Sequence, residues 1–209
     1  MYEVIIASAQ RTPVGSFMGS LTGLEAPKLG SIAIRAALAK INLDAKEVDE
    51  CIMGQVLAAG SGQAPARQAA LLGGLKIGTP CLTINKICGS GLKAVMLASD
   101  LIRLGDAKVV VAGGQESMSN APYLIEKVRS GYRMGSQTLT DSMIKDGLWD
   151  PGNNFHMGVA AELCVKENKF TREEQDLFSI DSYKFAQEAI SKGYFKNEIA
   201  TVTLDTREG

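Results

Sequence analysis

The stretch NKICGSGLKAVMLASDLI, residues 85–102, places a cysteine where a strand is predicted to turn into a helix. The residues before Cys88, 82–87, have the apolar character of a short buried strand. Two glycines that follow it, Gly89 and Gly91, allow a tight turn, and the rest of the stretch favours a helix. The stretch therefore predicts a thiol held at the N-terminus of a helix.

This position favours a reactive thiol at Cys88. A helix N-terminus carries unpaired N–H donors and the positive end of the helix dipole, so a thiolate there is stabilised relative to the thiol. No charged residue lies between Lys93 and Asp100. Because the predicted helix lacks a polar stripe there, we expect it to be buried on most sides.

The four cysteines of the chain differ in their surroundings. Free cysteine usually acts as a small buried hydrophobe, so core packing is the default interpretation for each of them. Only Cys88 has flanking glycines at a strand-to-helix junction, which makes it the candidate nucleophile. Core packing remains the expectation for Cys51, Cys81 and Cys164.

Composition is that of an ordinary globular protein. The chain has 209 residues, of which 45% are hydrophobic and 22% charged, enough for one large or two small domains. The net charge of -1 gives no electrostatic reason to expect nucleic acid or an anionic membrane as a partner. The apolar runs are too short for a membrane span, and the first residues lack a secretory signal, so we expect a cytoplasmic protein.

Disulfide frameworks and metal sites are not expected. Four cysteines without a C-x-x-C pair do not suggest a stapled scaffold. With one histidine in the chain, a zinc site would require scattered ligands to converge, so we predict no metal.

Predicted strands alternate with predicted helices in the first part of the chain. The strands are 3–9, 50–57, 82–87 and 107–112; the helices begin near Pro27, at residue 64 and after Cys88. This alternation, with nearly continuous apolar later strands, predicts an α/β domain whose sheet is covered on both faces. We assign residues 1–115 to that domain.

A second region, residues 116–209, begins where methionine, serine and glycine become frequent. Residues 157–169 are predicted to form a helix. Thr171 and Glu174 form a capping-box pattern that opens a longer helix ending at Gly193. Threonine and valine at 199–204 predict a strand.

Five separated motifs occur in one order along the chain. They are ASAQRTPVGSFMGSL at 7–21, GQAPARQAA at 62–70, NKICGSGLKA at 85–94, GGQESMSNAPY at 113–123 and FHMGVAAEL at 155–163. Through these motifs the whole chain resembles the N-terminal half of thiolases, the acetyl-CoA acetyltransferases. The resemblance implies a thiolase-like layered α/β fold, with a mixed sheet covered by helices and an inserted loop domain.

The resemblance also implies a reaction and its nucleophile. Thiolases catalyse the reversible Claisen condensation of two acetyl-CoA to acetoacetyl-CoA and CoA, through an acyl-cysteine intermediate. Cys88 falls on the family's nucleophile, and the amide N–H groups of Cys88 and Gly89 become candidate donors to the acyl oxygen. Coenzyme A thioesters are then the substrates, and no separate cofactor is expected.

Three further residues match the substrate pocket of short-chain thiolases. The His-Met pair, here His156 and Met157, is expected to line the acyl and pantetheine pocket, and Leu148 matches another pocket residue. His156 is therefore assigned to the pocket and not to the role of base. Gln115 departs from the family, in which methionine is usual at this position.

The family's other catalytic groups are not among these 209 residues. Thiolases activate the nucleophile with the histidine of a Gly-His-Pro motif and deprotonate the second acetyl-CoA with another cysteine, both in a C-terminal half. We therefore expect the chain to be inactive alone. Either it is a fragment, or it acts with a C-terminal half as a separate chain. Residues 116–209 would be the loop domain, which covers the coenzyme and helps to assemble thiolase units into tetramers, either homo-oligomers or hetero-oligomers.

Two other functions fit parts of the sequence. The decarboxylating ketoacyl synthases share the fold and the cysteine, but the RTPVG, GGQESMSNAPY and HMG motifs favour thiolase. A non-catalytic subunit that binds CoA or supports assembly is the alternative outside catalysis, and acyl transfer to Cys88 would distinguish it.

Overall fold

A computed structural model describes residues 2–204, and their contacts divide the chain into two compact units. Unit 1 contains the residues up to Gly147 and those from Ala200 onward, and unit 2 is Leu148–Ile199. The domain boundary predicted from the sequence lies at 115/116. Because compact units are defined by contacts alone, the assignment of a loop domain stays a prediction.

A three-stranded parallel sheet forms the centre of unit 1. Its strands are β1 (Glu50–Gly54), β2 (Cys81–Ile84) and β3 (Val110–Gly114), in the order β2-β1-β3. All three were predicted, with bounds that differ by a few residues. The register sets Cys51 of β1 directly opposite Cys81 of β2.

Helices cover both faces of this sheet, which confirms the α/β fold. They are α1 (Ala26–Lys40), α2 (Pro65–Leu72) and α3 (Ser90–Leu104). The α1 and α2 helices pack against each other, and α2 contacts β1 and β2. The α3 helix contacts β1 and β3 from the opposite face. All the strand pairs in this sheet are parallel, whereas a mixed sheet was expected.

The hydrophobic core of unit 1 lies between α1, α2 and the sheet. Its buried members are Ile34, Leu38, Val48, Cys51, Met53, Ala66, Ala69, Ala70 and Leu75. Proline opens both helices, since Pro27 and Pro65 each lie in a first turn, where no N–H is needed for the helix.

One carboxylate joins the starts of two strands. Asp49 Oδ2 accepts hydrogen bonds from the N–H groups of Lys108 (2.7 Å) and Val109 (3.0 Å). These backbone donors, that of Lys108 first, lower the pKa of Asp49. The start of β3 is thereby held beside the start of β1.

Shorter elements complete unit 1. A two-stranded antiparallel ribbon pairs β4 (Tyr123–Leu124) with β5 (Thr140–Asp141), and a π-helical segment follows at Met143–Leu148. Short 3₁₀ turns occur at Ala45–Glu47, Met118–Asn120 and Val128–Ser130.

Unit 2 contains a small ribbon and two helices. The ribbon pairs β6 (Trp149–Asp150) with β7 (Phe155–His156). The helix α4 (Met157–Asn168) follows the ribbon directly, and α5 (Arg172–Ser191) comes next. The capping box predicted at Thr171 is confirmed, because its hydroxyl accepts from the Glu174 N–H while the Glu174 carboxylate accepts from the Thr171 N–H.

Two predicted strands are absent from the described residues. The segment 3–9 forms no strand, and Ile5 and Ile6 are 75% and 78% exposed. The segment 199–204 forms only one bridge, in which the Ala200 N–H donates to the Arg11 carbonyl (2.8 Å). β-Branched residues favour a strand, but a strand also needs a neighbour, and residues 2–204 supply none to either segment.

Two burial predictions were also wrong. The α3 helix buries only Ser90, Ala94 and Ala98, while Leu92 is 69% exposed. Small residues therefore contact the sheet, and larger apolar residues face away from it. Cys164, expected in a core, is exposed on α4. Within residues 2–204, no helix combines the length and the apolar character needed to cross a membrane.

Candidate active site

Cys88 lies in the tight turn between β2 and α3, as predicted. The strand ends at Ile84, and Gly89 is the N-cap of the helix, so Cys88 directly precedes the cap. The thiol is free and exposed. The sequence thus presents a cysteine at the positive end of a helix, where a nucleophile can reach a bound substrate.

Side-chain hydrogen bonds fix the turn around Cys88. The hydroxyl of Ser90 accepts from the Lys86 N–H (2.8 Å) and donates to the Ile87 carbonyl (2.6 Å). The Asn85 carbonyl oxygen Oδ1 accepts from the Ile87 N–H (2.9 Å). Asn85 and Ser90 therefore hold both sides of the turn, a role that the sequence analysis did not assign to them.

Ile87, directly before the cysteine, has an unusual backbone conformation. Ile87 has φ 49°, in the left-handed region that a β-branched residue rarely adopts. Such a conformation costs on the order of 1–3 kcal/mol and is retained only where the surroundings enforce it. The glycines were expected to make this turn, yet Gly89 has φ -88°, which does not require a glycine. The strain is held beside the candidate nucleophile.

Glycines are needed instead where α3 approaches the sheet. A Cβ at Gly54, the last residue of β1, would lie 2.5 Å from the Ser90 Cβ and 2.7 Å from the Gly91 nitrogen. A Cβ at Gly114, the last residue of β3, would lie 3.3 Å from the Gly91 Cα. Glycine at the ends of β1 and β3 thus lets the first turn of α3 lie directly against the sheet.

One of the two predicted acyl-oxygen donors is already engaged. The Gly89 N–H donates to the Lys86 carbonyl (3.1 Å), and the next N–H, of Ser90, donates to the Ile87 carbonyl (3.0 Å). A substrate oxygen would therefore compete with Lys86 for the Gly89 N–H. The donor roles of Cys88 and Gly89 stay predictions.

A buried pair of amides lies beyond the ends of β1 and β3. The Gln115 Nε2 donates to the Gln55 Oε1 (2.9 Å), and the Gln55 Nε2 donates to the Leu57 carbonyl (3.1 Å) and the Ser61 hydroxyl (3.0 Å). Gln115 is the position at which the sequence departs from the family's usual methionine. Its Oε1 is buried without a hydrogen-bond partner among the described residues, and a Cβ at Gly30 would lie 2.0 Å from it.

Glu116 joins the two loops that follow these strands. Its carboxylate accepts from the N–H groups of Val56 (2.8 Å) and Leu57 (3.1 Å). Burial raises the pKa of Glu116, although the two backbone bonds act in the opposite direction. The motif that contains Glu116 was used only for the resemblance, so the sequence analysis missed this contact.

The remaining predicted site residues lie in unit 2. Leu148 ends the π-helical segment and is half-buried, His156 ends β7 and caps α4, and Met157 begins α4 and is 48% exposed. The His156 Nδ1 accepts from the Gly158 N–H (2.9 Å), an assignment that places the proton of a neutral imidazole on Nε2. Capping thus gives His156 a structural role beside the predicted pocket role.

The candidate nucleophile and the predicted pocket residues therefore belong to different units. Cys88 and Gly89 lie in unit 1, whereas Leu148, His156 and Met157 lie in unit 2. Among residues 2–204, no group of three His, Cys, Asp or Glu side chains could hold a metal ion. The assignment of these residues to one site stays a prediction.

Comparison with known proteins identifies similar chains. Residues 4–209 match the family described as Thiolase, N-terminal domain. The chain is 54% identical over 209 residues to an acetyl-CoA acetyltransferase of Pseudomonas aeruginosa, and the alignment covers 100% of this chain and 53% of that protein. It is 53% identical to an acetyl-CoA acetyltransferase of Cupriavidus necator, with the same coverage of both chains.

A vertebrate protein is also similar. The mitochondrial acetyl-CoA acetyltransferase of Xenopus tropicalis is 51% identical over 205 residues, covering 98% of this chain and 48% of that protein. The chain thus spans about half the length of the curated relatives that it matches.

Proposed function

Because the chain belongs to the thiolase family, as a thiolase N-terminal domain, we propose that it is the nucleophile-bearing half of an acetyl-CoA acetyltransferase. The proposed reaction is the reversible condensation of two acetyl-CoA to acetoacetyl-CoA and CoA. The family match favours this reaction over decarboxylating condensation by a ketoacyl synthase. The location in the cell stays a prediction, since the sequence favours the cytoplasm while the Xenopus relative is named as mitochondrial.

The observation that carries the proposal is the exposed thiol of Cys88 at the start of α3. In the first half-reaction the Cys88 thiolate attacks the thioester carbonyl of acetyl-CoA. Negative charge develops on the carbonyl oxygen, and the bond to CoA sulfur then breaks to leave acetyl-Cys88 and CoA. The helix dipole at the start of α3 favours the developing oxyanion.

The second half-reaction forms the new carbon–carbon bond. A second acetyl-CoA loses a proton from its methyl carbon, and that carbon attacks the carbonyl of acetyl-Cys88. Acetoacetyl-CoA forms and Cys88 leaves as the thiolate. In the proposal, Leu148, His156 and Met157 line the pocket that holds the acyl group and the pantetheine arm.

Proton transfer in both half-reactions is assigned to a C-terminal complement. Residues 1–209 contain one histidine, and its Nδ1 caps α4. The resemblance assigns activation of the nucleophile to a histidine, and deprotonation of the second substrate to a cysteine, both in the C-terminal half of thiolases. We therefore propose that the chain acts with that half, in an oligomer built from such units.

Acetyl transfer to Cys88 tests the proposal directly. The chain is mixed with a separately made C-terminal half and with acetyl-CoA, quenched in acid and mapped by peptide mass. We expect one acetyl group on the peptide that contains Cys88, and none in the Cys88→Ser variant. Acetylation elsewhere would reject Cys88 as the nucleophile. Binding of CoA without any acetyl transfer would instead support the non-catalytic subunit.

A further inference from the structure

Two cysteines outside the proposed active site lie side by side in the sheet. Cys51 of β1 and Cys81 of β2 are register partners on adjacent parallel strands, so their side chains project to the same face. Neighbouring strands lie ~4.8 Å apart, within the Cα separation of ~4.4–6.8 Å that a disulfide spans. Both cysteines are free thiols, and the neighbouring Cys81 contributes to the raised pKa of the Cys51 thiol.

The two thiols differ in exposure and in neighbours. Cys51 is fully buried in the core between the sheet and α2, whereas Cys81 is half-buried. The Cys81 Sγ also donates to the Thr79 carbonyl (3.3 Å). Arg67 of α2 supplies a positive charge near Cys81, and its Nη2 donates to the Ile77 carbonyl (3.0 Å).

These surroundings assign different reactivity to the two sulfurs. Burial raises the pKa of the Cys51 thiol to about 12, and the neighbouring Cys81 adds to the effect. Burial also raises the pKa of Cys81, but Arg67 acts in the opposite direction. Cys81 is therefore the more accessible of the two sulfurs and the one with a cationic neighbour, and Cys51 is the thiol held next to it.

We propose that Cys51 and Cys81 form an oxidation-sensitive dithiol that closes to a disulfide when the protein meets a peroxide. The Cys81 thiolate attacks one peroxide oxygen, the O–O bond breaks, and hydroxide leaves while Cys81 becomes a sulfenic acid. The Cys51 sulfur then attacks the Cys81 sulfur, and the sulfenic oxygen leaves as water with the Cys51 proton. Two thiols are oxidised, and one hydrogen peroxide is reduced to two waters.

Disulfides exchange with thiols through a mixed disulfide, so a thiol reductant is expected to restore the dithiol.

The test uses the Cys88→Ser/Cys164→Ser double variant of the full chain together with the C-terminal half, so that Cys51 and Cys81 are the only cysteines left in residues 1–209. The folded variant is treated with hydrogen peroxide, unreacted thiols are blocked with iodoacetamide in urea, and peptides are mapped without reduction. We expect a cross-linked peptide containing Cys51 and Cys81, which dithiothreitol converts back to two free thiols. The wild-type chain, mapped in the same way, should yield the same cross-link.

Two controls distinguish thiols that the fold holds together from thiols that meet by chance. In urea the cross-link should form more slowly than in the folded protein, because the sheet no longer holds the thiols together. The further variant Cys51→Ser should instead accumulate Cys81 sulfinic acid, since no resolving thiol is present. Equal yields in the folded and unfolded chains, or oxidation of Cys81 without a cross-link when Cys51 is present, would overturn the proposal.

Discussion

At the scale of single residues, exposure should set the order in which the four thiols react. Cys88 is exposed at a helix start, while Cys51 is fully buried and its pKa is raised to about 12 by burial. We expect iodoacetamide to alkylate Cys88 fastest near neutral pH and Cys51 slowest. Brief labelling followed by peptide mapping measures the order.

Cys164 is the informative competitor in that experiment. It is exposed as well, but it lies within α4 and not at a helix N-terminus. Exposure alone would give Cys164 and Cys88 similar rates, whereas the position of Cys88 at the start of α3 is expected to make it react faster. If Cys164 reacts first, the helix-start argument for Cys88 fails.

The imidazole of His156 provides a second prediction at this scale. If His156 shapes the pocket, His156→Ala in the complemented enzyme should mainly alter substrate affinity and chain-length preference. Removal of a general base typically lowers the chemical step by a factor of ~10²–10⁴. Rapid-quench measurement of Cys88 acetylation, with CoA binding measured in parallel, distinguishes a pocket role of His156 from the role of a general base. A loss in that range with unchanged CoA binding would identify His156 as the base.

Alkaline pH should weaken the fold through Cys51. Its pKa is raised from 9.0 to about 12 by burial, so between these values the unfolded chain loses the thiol proton while the folded chain keeps it. The free energy of unfolding therefore falls as pH rises through this window, by ~1.4 kcal/mol per pH unit from this group. Below about pH 9 the Cys51 thiol is protonated in both states, so it does not change how the free energy of unfolding depends on pH.

Urea unfolding of the wild type and of Cys51→Ala measures this contribution. Midpoints are compared at about pH 8 and about pH 10.5, on either side of the ordinary thiol pKa. The wild type should lose more stability between the two pH values than the variant does. Parallel losses would show that Cys51 does not remain a buried thiol.

The position of Cys88 at a strand-to-helix junction was predicted from the sequence, whereas the contacts that hold this junction were not. The junction at Cys88 follows from an apolar strand, two glycines and a helix-forming run, which are all local signals. The left-handed Ile87 and the Gln55–Gln115 pair were missed. A positive φ at isoleucine has no local signal, and the amide pair joins residues that lie far apart in the sequence.

At the scale of elements, the packing of α3 on the sheet depends on Gly54. Gly54→Ala would place a methyl group 2.5 Å from the Ser90 Cβ, so α3 must shift away from β1. We expect a destabilisation of about 1–3 kcal/mol and a loss of Cys88 acetylation in the complemented enzyme. Urea unfolding and the acetylation assay measure the two effects.

Gly23→Ala is the matched control, because a Cβ at Gly23 would meet no atom within 4 Å. It adds the same methyl group to the same unit without touching α3. We expect its unfolding midpoint and its acetylation rate to stay close to those of the wild type. Equal effects of the two substitutions would mean that α3 and β1 tolerate the extra methyl.

Helices were predicted more accurately than strands, for a physical reason. The signals at Pro27, Pro65 and the Thr171 capping box are local, and each marks a helix start that the structure confirms. A strand requires a partner elsewhere in the chain. The segment 3–9 has strand-like residues but no partner strand within residues 2–204. The local residue pattern carries no information about whether such a partner exists.

At the scale of the whole molecule, several large apolar side chains of the helices are exposed. Leu92 and Leu104 of α3 are 69% and 75% exposed, and Phe178 of α5 is 79% exposed. Large apolar side chains left in water mark surfaces that another chain or segment covers. We expect the isolated chain to bind hydrophobic dyes and to aggregate, and a C-terminal half to suppress both.

Turnover of acetoacetyl-CoA should also depend on the C-terminal half. Residues 1–209 alone should not thiolyse acetoacetyl-CoA, because the proton-transfer groups assigned to the C-terminal half are missing. Addition of that half should restore activity, and Cys88→Ser should abolish it. The assay compares the verified lone chain, the mixture and the mixture with the variant. Substantial turnover by the lone chain would show that a group within residues 1–209 can act as the base.

The order β2-β1-β3 has a consequence for synthesis on the ribosome. The central strand, Glu50–Gly54, is translated first, and its second neighbour begins only at Val110. At ~5–20 residues per second, β1 leaves the ribosome several seconds before β3 does. During that interval the most buried strand has an open edge in a nascent chain, where holding chaperones can bind it. Stalled nascent chains in which residue 114 has left the ribosome should therefore resist protease much better than shorter ones in which it has not. Equal resistance would show that β3 does not close the sheet.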